Sequence, residues 1–460
     1  MPTESRLRKD ALGLTQAVAI GVAGTAPAYT IAVSTAALIA AVGVLAPAAI
    51  LYGGLVMVGI TFAFAYLNLA HPDAGASYTW VGRVLHRDLG FLCGWAVLVS
   101  SVLFTVSATI PAATATLQLA RVAPTQGLVT GVAAAWIVAI TLLEVQGMRL
   151  TGKVQAWMTG IELAVLGLLA IAALVRMGPQ VLELAAWDRF APSAFTPEAF
   201  AAGAVIAVFF YWGWDAALNA SEETRDPARV PGIAAALAML AVACTFVALT
   251  LVTLAVLGEP GIRDSGTNLL FAVADRLLPR PWSRFALVAV MLSSVGALQV
   301  SLLQFARTLY AQARADEAHP RWAHLHERWQ TPHLATWLNC GLGLLLLTLS
   351  LGFESVDAML KASINAIGLE IAFYYGLTAL ACAWHYRWRA LRSPHLLIFA
   401  VAWPLLSAAA LWGTAALAAR AMDGLTLGIG LGGLALGLLP LAFIPRRRDA
   451  PAAPPSVPSP

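Results

Sequence analysis

Runs of about 18–25 mostly apolar residues, parted by short polar segments, repeat along the whole chain. A run of that length crosses a bilayer core as an α-helix, at ~1.5 Å per residue. Twelve runs can be drawn, at about 12–36, 42–69, 90–120, 127–145, 153–177, 200–222, 232–257, 285–312, 333–352, 357–385, 394–419 and 424–445. The pattern predicts an all-α membrane protein with twelve transmembrane helices. The first run is too long for a leader's apolar core and lacks a convincing cleavage site, so it is expected to be a span.

Composition sharpens the picture. Of 460 residues, 60% are hydrophobic and 11% charged, which no soluble domain of this size would need. Cys93, Cys244, Cys340 and Cys382 lie inside apolar runs without metal-ligand or disulfide spacing. When Lys and Arg are assigned to alternating sides, 19 of the 28 fall on one side, the side of both termini. By the positive-inside tendency that side is the cytoplasm, with the protein in the cytoplasmic membrane. Trp80, Trp187, Trp282 and Trp384 fall near span ends and are expected in an interfacial belt. Residues 75–87 are expected to form a short cytoplasmic interfacial helix. Residues 446–460, a basic cluster followed by a Pro-rich stretch, are expected to be a disordered cytoplasmic tail.

Two spans carry breaks. Span 1 reads I-G-V-A-G-T-A-P-A-Y-T from Ile20 to Thr30, with Gly21, Gly24 and Pro27 inside an apolar run. Pro27 has no N–H and disfavours helix at Ala26. Span 6 reads F-F-Y-W-G-W-D-A-A-L-N-A-S-E-E-T from Phe209, with Gly213 mid-span. Non-helical backbone at membrane depth survives only where protein or a hydrated cavity surrounds it. Breaks at matching depth in two oppositely inserted segments predict a five-plus-five inverted repeat. Its halves would be residues 12–177 and 200–386, after a cytoplasmic tail at 1–11 and before two extra C-terminal helices in 394–445.

The span 6 segment resembles the aromatic–Gly–aromatic–acid motif of the amino acid–polyamine–organocation (APC) transporters. The loop H-P-D-A-G-A-S-Y-T-W-V is similar to that family's P-x-x-G-G-x-Y loop, and F-A-R-T-L-Y-A-Q-A-R-A-D-E-A-H-P to its R-x-L-Y-A-x-A-R-D-G-x-x-P segment. The resemblance implies a substrate carboxylate near Gly24, Thr25 and Ala26. It implies an α-amino group at the backbone carbonyls of Phe210, Tyr211 and Gly213, an aromatic gate at Phe209, and a side-chain pocket including Trp212 or Trp214. The chain departs from the family in having Ala26 where a second glycine is usual, and Pro27 removes one amide.

Ionisable groups at mid-membrane are costly and need a reason. Glu162 lies nine residues after Lys153, deep in span 5, where many relatives of this type carry a lysine. Burial disfavours a charged carboxylate, so Glu162 could exchange a proton; it could also ligate Na⁺ with Ser293 or Ser294, or hydrogen-bond a neighbouring helix. Glu370 in span 10 is a second coupling candidate. Asp215 adjoins the span 6 break as a cap or brace. Glu222 and Glu223 are candidates for a gate or brace with Arg225, Arg307 or another basic group.

These readings point to a secondary active transporter of an amino acid or related amine, working by alternating access and coupled to protons. An exchanger and a Na⁺ symporter are the alternatives, and an intramembrane enzyme is the reading from another class. No clustered nucleophile or metal ligands support an enzyme, and no repeated filter loop supports a channel. The expected partners are a small-molecule substrate and the bilayer, with no nucleic acid, no metal and no cofactor beyond a coupling proton or Na⁺. The sequence leaves the oligomeric state open.

Overall fold

The structure, a computed structural model, describes residues 6–352 and 356–444. The tail expected at 446–460 lies outside the described residues. The helices are α1 (Leu14–Thr25), α2 (Pro27–Val42), α3 (Ala46–Ala70), α4 (Ser77–Val84), α5 (Arg87–Leu119), α6 (Gln126–Val145), α7 (Met148–Leu184) and α8 (Pro197–Phe209). There follow α9 (Ala216–Asn219), α10 (Val230–Ser265), α11 (Leu269–Leu277), α12 (Phe285–Arg314), α13 (His333–Leu349) and α14 (Val356–Ala390). The last two are α15 (Pro394–Ala421) and α16 (Gly424–Phe443).

Among the described residues there is no strand; a single bridge joins Leu12 to Thr224. Nine helical stretches of the described residues are long and apolar enough to cross a membrane; one of them, Leu14–Ala70, contains α1 to α3. The apolar helices Pro197–Phe209 and His333–Leu349 are shorter. This is an all-helical integral membrane protein.

The burial pattern follows from which helices meet lipid. Most of α12 is enclosed, packed along α5 and against α1, α7 and α13. Its polar side chains Ser293, Ser294, Gln299, Ser301, Gln304 and Arg307 are buried inside the bundle. By contrast Leu431, Leu436, Leu438, Leu439 and Phe443 of α16 stand exposed on the outer surface. On a soluble protein such an apolar surface would be a liability; for this one the solvent is hydrocarbon.

Two expectations are corrected. Trp80 is fully buried, with its Nε1–H donating to the His71 carbonyl at 2.6 Å and its ring edge-on to Phe64, so it belongs to the core. Trp187, Trp282 and Trp384 are exposed. Residues 77–84 do form a helix, but Ser77 to Val81 are buried and α4 packs on α5 and α14 instead of lying in an interface. The short sequence offered no clue to the two helices that cover it.

Candidate functional site

Both sequence-marked breaks interrupt their helices. At the first, Ala26 adopts a left-handed conformation (φ 46°, ψ 67°) and Pro27 begins α2. Pro suits the first position of a helix, because the N–H there has no partner within the helix. Ala26 carries a strain that glycine would escape, of order 1 kcal/mol. Its N–H bonds the Ala23 carbonyl at 3.0 Å and its carbonyl accepts from Thr30 N–H at 2.8 Å. At the second break α8 stops at Phe209, the chain turns through Gly213 (φ 105°), and α9 resumes at Ala216.

The breaks touch at their glycines. A Cβ on Gly24 would lie 2.0 Å from the Gly213 carbonyl oxygen, and one on Gly213 would lie 2.3 Å from the Gly24 carbonyl oxygen. Only glycine allows two backbones so close. The groups expected around a substrate therefore meet each other across this contact.

The start of α2 is capped from two other helices. Glu162 on α7 accepts the Ala28 N–H at 2.9 Å, and Ser293 Oγ on α12 accepts the Tyr29 N–H at 3.2 Å. A carboxylate at a helix N-terminus meets both free N–H groups and the positive end of the helix dipole. Ser294 Oγ, next in sequence, is buried without a partner among the described residues.

Asp215 follows the second break. It accepts from Tyr375 Oη at 2.7 Å, Tyr374 Oη at 3.2 Å and Gln304 Nε2 at 3.1 Å, so it joins the span 6 region to α14 and α12. All three donors are neutral. No local pattern singles out Tyr374, Tyr375 or Gln304, although the two tyrosines follow Glu370 by about one helical turn.

The span 6 aromatics are mostly core. Phe210 stands edge-on to Phe246, Tyr211 Oη donates to the Ile50 carbonyl at 2.9 Å, and Trp212 Nε1–H donates to Tyr374 Oη at 2.8 Å. Trp214 lies among Phe64 and Tyr375, with its Nε1 unpartnered among the described residues. Phe209 differs: with residues of α2, α8, α14 and α15 it lines a cavity of about 470 Å³. That cavity lies on the α2 and α8 side of the breaks and its lining has no charged side chain.

On the opposite side of the breaks the helices are bound by ion pairs. Arg307, fully buried, meets Glu144 Oε1 at 2.6 Å and Glu223 through two nitrogens at 3.0 and 3.3 Å. The Glu223 carbonyl accepts the N–H groups of Ala11 and Leu12, and Arg225 N–H donates to the Leu12 carbonyl, which ties the N-terminal segment to this end. Glu222 pairs with Arg314 at 2.7 Å, and Arg314 also reaches Asp73 at 3.2 Å. Glu144, Arg314 and Asp73 were not among the candidates; Glu144 sits near the end of an apolar run, the one signal that marked it.

Glu370 is apart from all of this. It lies against α16, where a Cβ on Gly433 would be 3.0 Å from its Oε1, and neither carboxyl oxygen has a partner among the described residues.

The family model described as amino acid permease matches residues 12–430. An uncharacterised transporter of Mycobacterium tuberculosis is 28% identical over 360 residues, covering 73% of this chain and 72% of that one. The serine/threonine exchanger SteT of Bacillus subtilis is 22% identical over 302 residues, 65% of this chain and 67% of that one. The methylthioribose transporter of Bacillus subtilis is 26% identical over 308 residues, 62% of this chain and 63% of that one. On a family match that runs through both interrupted segments, the chain belongs to the amino acid permease family and is a membrane transporter, not an enzyme.

Proposed function

We propose that the chain is a secondary active transporter of an amino acid or related amine, working by alternating access across the cytoplasmic membrane with a proton as coupling ion. One observation carries this reading: the molecule is asymmetric about the Gly24–Gly213 contact. A cavity of about 470 Å³ reaches Phe209 on one side, while the Arg307 and Arg314 ion pairs hold the other side shut. That is the arrangement of a carrier with its inner gate closed and its outer vestibule formed.

In this reading the ion-paired end, which carries the N-terminal segment, is cytoplasmic, as the distribution of Lys and Arg favours. The nine apolar stretches, with Leu14–Ala70 divided at α3 and the two shorter helices added, make up twelve segments. Ten form two inverted five-segment halves, 12–177 and 200–386, and α15 and α16 follow. The substrate site forms when the contact between the breaks opens. Glu162 takes up and releases the coupling proton, because its charge state sets the capping of α2. Glu370, buried without a partner among the described residues, serves as a second proton-binding group.

An exchange mode is the second reading, favoured by the likeness to the serine/threonine exchanger of Bacillus subtilis. The oxygens of Glu162, Ser293 and Ser294 also favour Na⁺ as an alternative ion. Reconstitution of the full chain in liposomes separates these. Saturable uptake driven by an inward proton gradient alone is expected. Uptake only with substrate preloaded inside indicates exchange, a requirement for Na⁺ indicates sodium coupling, and non-saturating flux rejects the carrier reading.

A further inference from the structure

The resemblance to APC transporters implies a substrate carboxylate held by the first break. The geometry points elsewhere: we infer that Glu162 is this chain's own carboxylate at that position, so that the ligand is an organic amine cation that need carry no carboxylate. The inference rests on the transporter reading and narrows its substrate class.

Three independent features carry it. The first is that the backbone N–H groups at the first break are used. Pro27 has none, Ala28 N–H goes to Glu162, Tyr29 N–H to Ser293, Thr30 N–H to the Ala26 carbonyl and Ala26 N–H to the Ala23 carbonyl. An incoming carboxylate would find no free N–H there and would face the like charge of Glu162.

The second is what the facing break leaves over. Phe210 and Tyr211 are fully buried, and among the described residues no N–H or O–H donates to either carbonyl. Buried acceptors without partners favour a ligand that brings donors. The indole N–H of Trp214 and the hydroxyls of Tyr29 and Ser294 are also left over, but neutral donors are a weaker counterpart for a carboxylate than a charged group.

The third is charge. Glu162 and Asp215, one at each break, are buried and accept from neutral groups only. Arg307, on the same helix as Gln304, is already held by Glu144 and Glu223. The centre thus has two carboxylates and no basic side chain against them among the described residues. Buried anions call for a cationic partner or for protons. An ammonium supplies the charge and the N–H groups, and the uncharged lining of the cavity beside Phe209 suits a hydrocarbon substituent.

The test uses matched pairs that differ by the carboxylate alone: phenylalanine and phenethylamine, leucine and isoamylamine, lysine and cadaverine, arginine and agmatine. Binding to the purified full chain is read by thermal shift and by competition for uptake in liposomes. The expected result is that the preferred pair binds through its amine at least about tenfold more tightly than through its amino acid. Glu162→Gln keeps an acceptor for Ala28 N–H and removes the charge, and should weaken amine binding about tenfold or more. Glu162→Ala frees that N–H and should shift the preference toward the amino acid. An amino acid that outcompetes its amine on the unaltered protein overturns the inference and leaves the transporter reading intact. Binding of neither member of any pair, with no uptake of any of them, overturns both.

Discussion

Gly24 and Gly213 meet backbone to backbone, each where the other's Cβ would have to be, at 2.0 and 2.3 Å from the facing carbonyl oxygen. The contact joins the two interruptions that punctuate the apolar pattern, and everything polar at the centre is arranged around it.

Alanine at either glycine should therefore abolish transport. Gly213→Ala adds a second penalty, because its φ of 105° lies where side chains are strained. Uptake by liposomes containing each variant is the measurement. Gly341→Ala, where a Cβ meets no atom within 4 Å, is the control and should transport normally.

Glu162→Gln should flatten the dependence of uptake on external pH while the variant still folds, because the amide oxygen can replace Oε1 as acceptor for Ala28 N–H. A pH profile identical to that of the unaltered protein would remove Glu162 from proton coupling.

Asp215 is bound by two tyrosines and a glutamine, so its losses should be graded. Tyr375→Phe deletes the hydrogen bond it donates to Asp215 at 2.7 Å and the longer one it accepts from Gly213 N–H at 3.5 Å, and should cost about 1.5–3 kcal/mol because the first acceptor is charged. Asp215→Asn keeps the shape but turns one acceptor into a donor facing other donors, and should abolish uptake. Unfolding midpoints in detergent, read beside uptake, separate the two effects.

The buried pair network at Arg307 should be the costliest to break. Arg307→Ala strands the carboxylates of Glu144 and Glu223 and should destabilise the fold by roughly 3–5 kcal/mol. Arg314→Ala removes pairs that are partly exposed and should cost about 1 kcal/mol or less. Comparable losses in the two variants would contradict this ranking.

His71 sits in the loop after α3, beside Arg83 and Asp73 and edge-on to His385. Burial, and then Arg83, hold its pKa below the ordinary value of 6.5, with Asp73 opposing. A depressed value means the unfolded chain binds the proton more readily, so stability is full above pH 6.5 and declines as pH falls below it. The unfolding midpoint should fall between pH 7.5 and 5.5, and His71→Gln should reduce that fall.

The sequence was enough to determine the class of the molecule and the sites of interruption. Long uncharged apolar runs have one stable form in lipid, and Gly24, Pro27 and Gly213 mark where that form fails, so helices and breaks were legible locally. Even Glu162, Asp215 and Arg307 stood out, since buried charge in an apolar run demands a partner. Which partner was beyond it. The cap that Glu162 places on Ala28 spans 134 residues, and the Asp215–Tyr375 bond 160. Trp80 looked interfacial until α5 and α14 closed over α4, and the amides after Pro27 looked free until the fold supplied a carboxylate of its own. Pairings of that reach depend on how helices distant in the chain pack side by side, which no local pattern of polarity encodes.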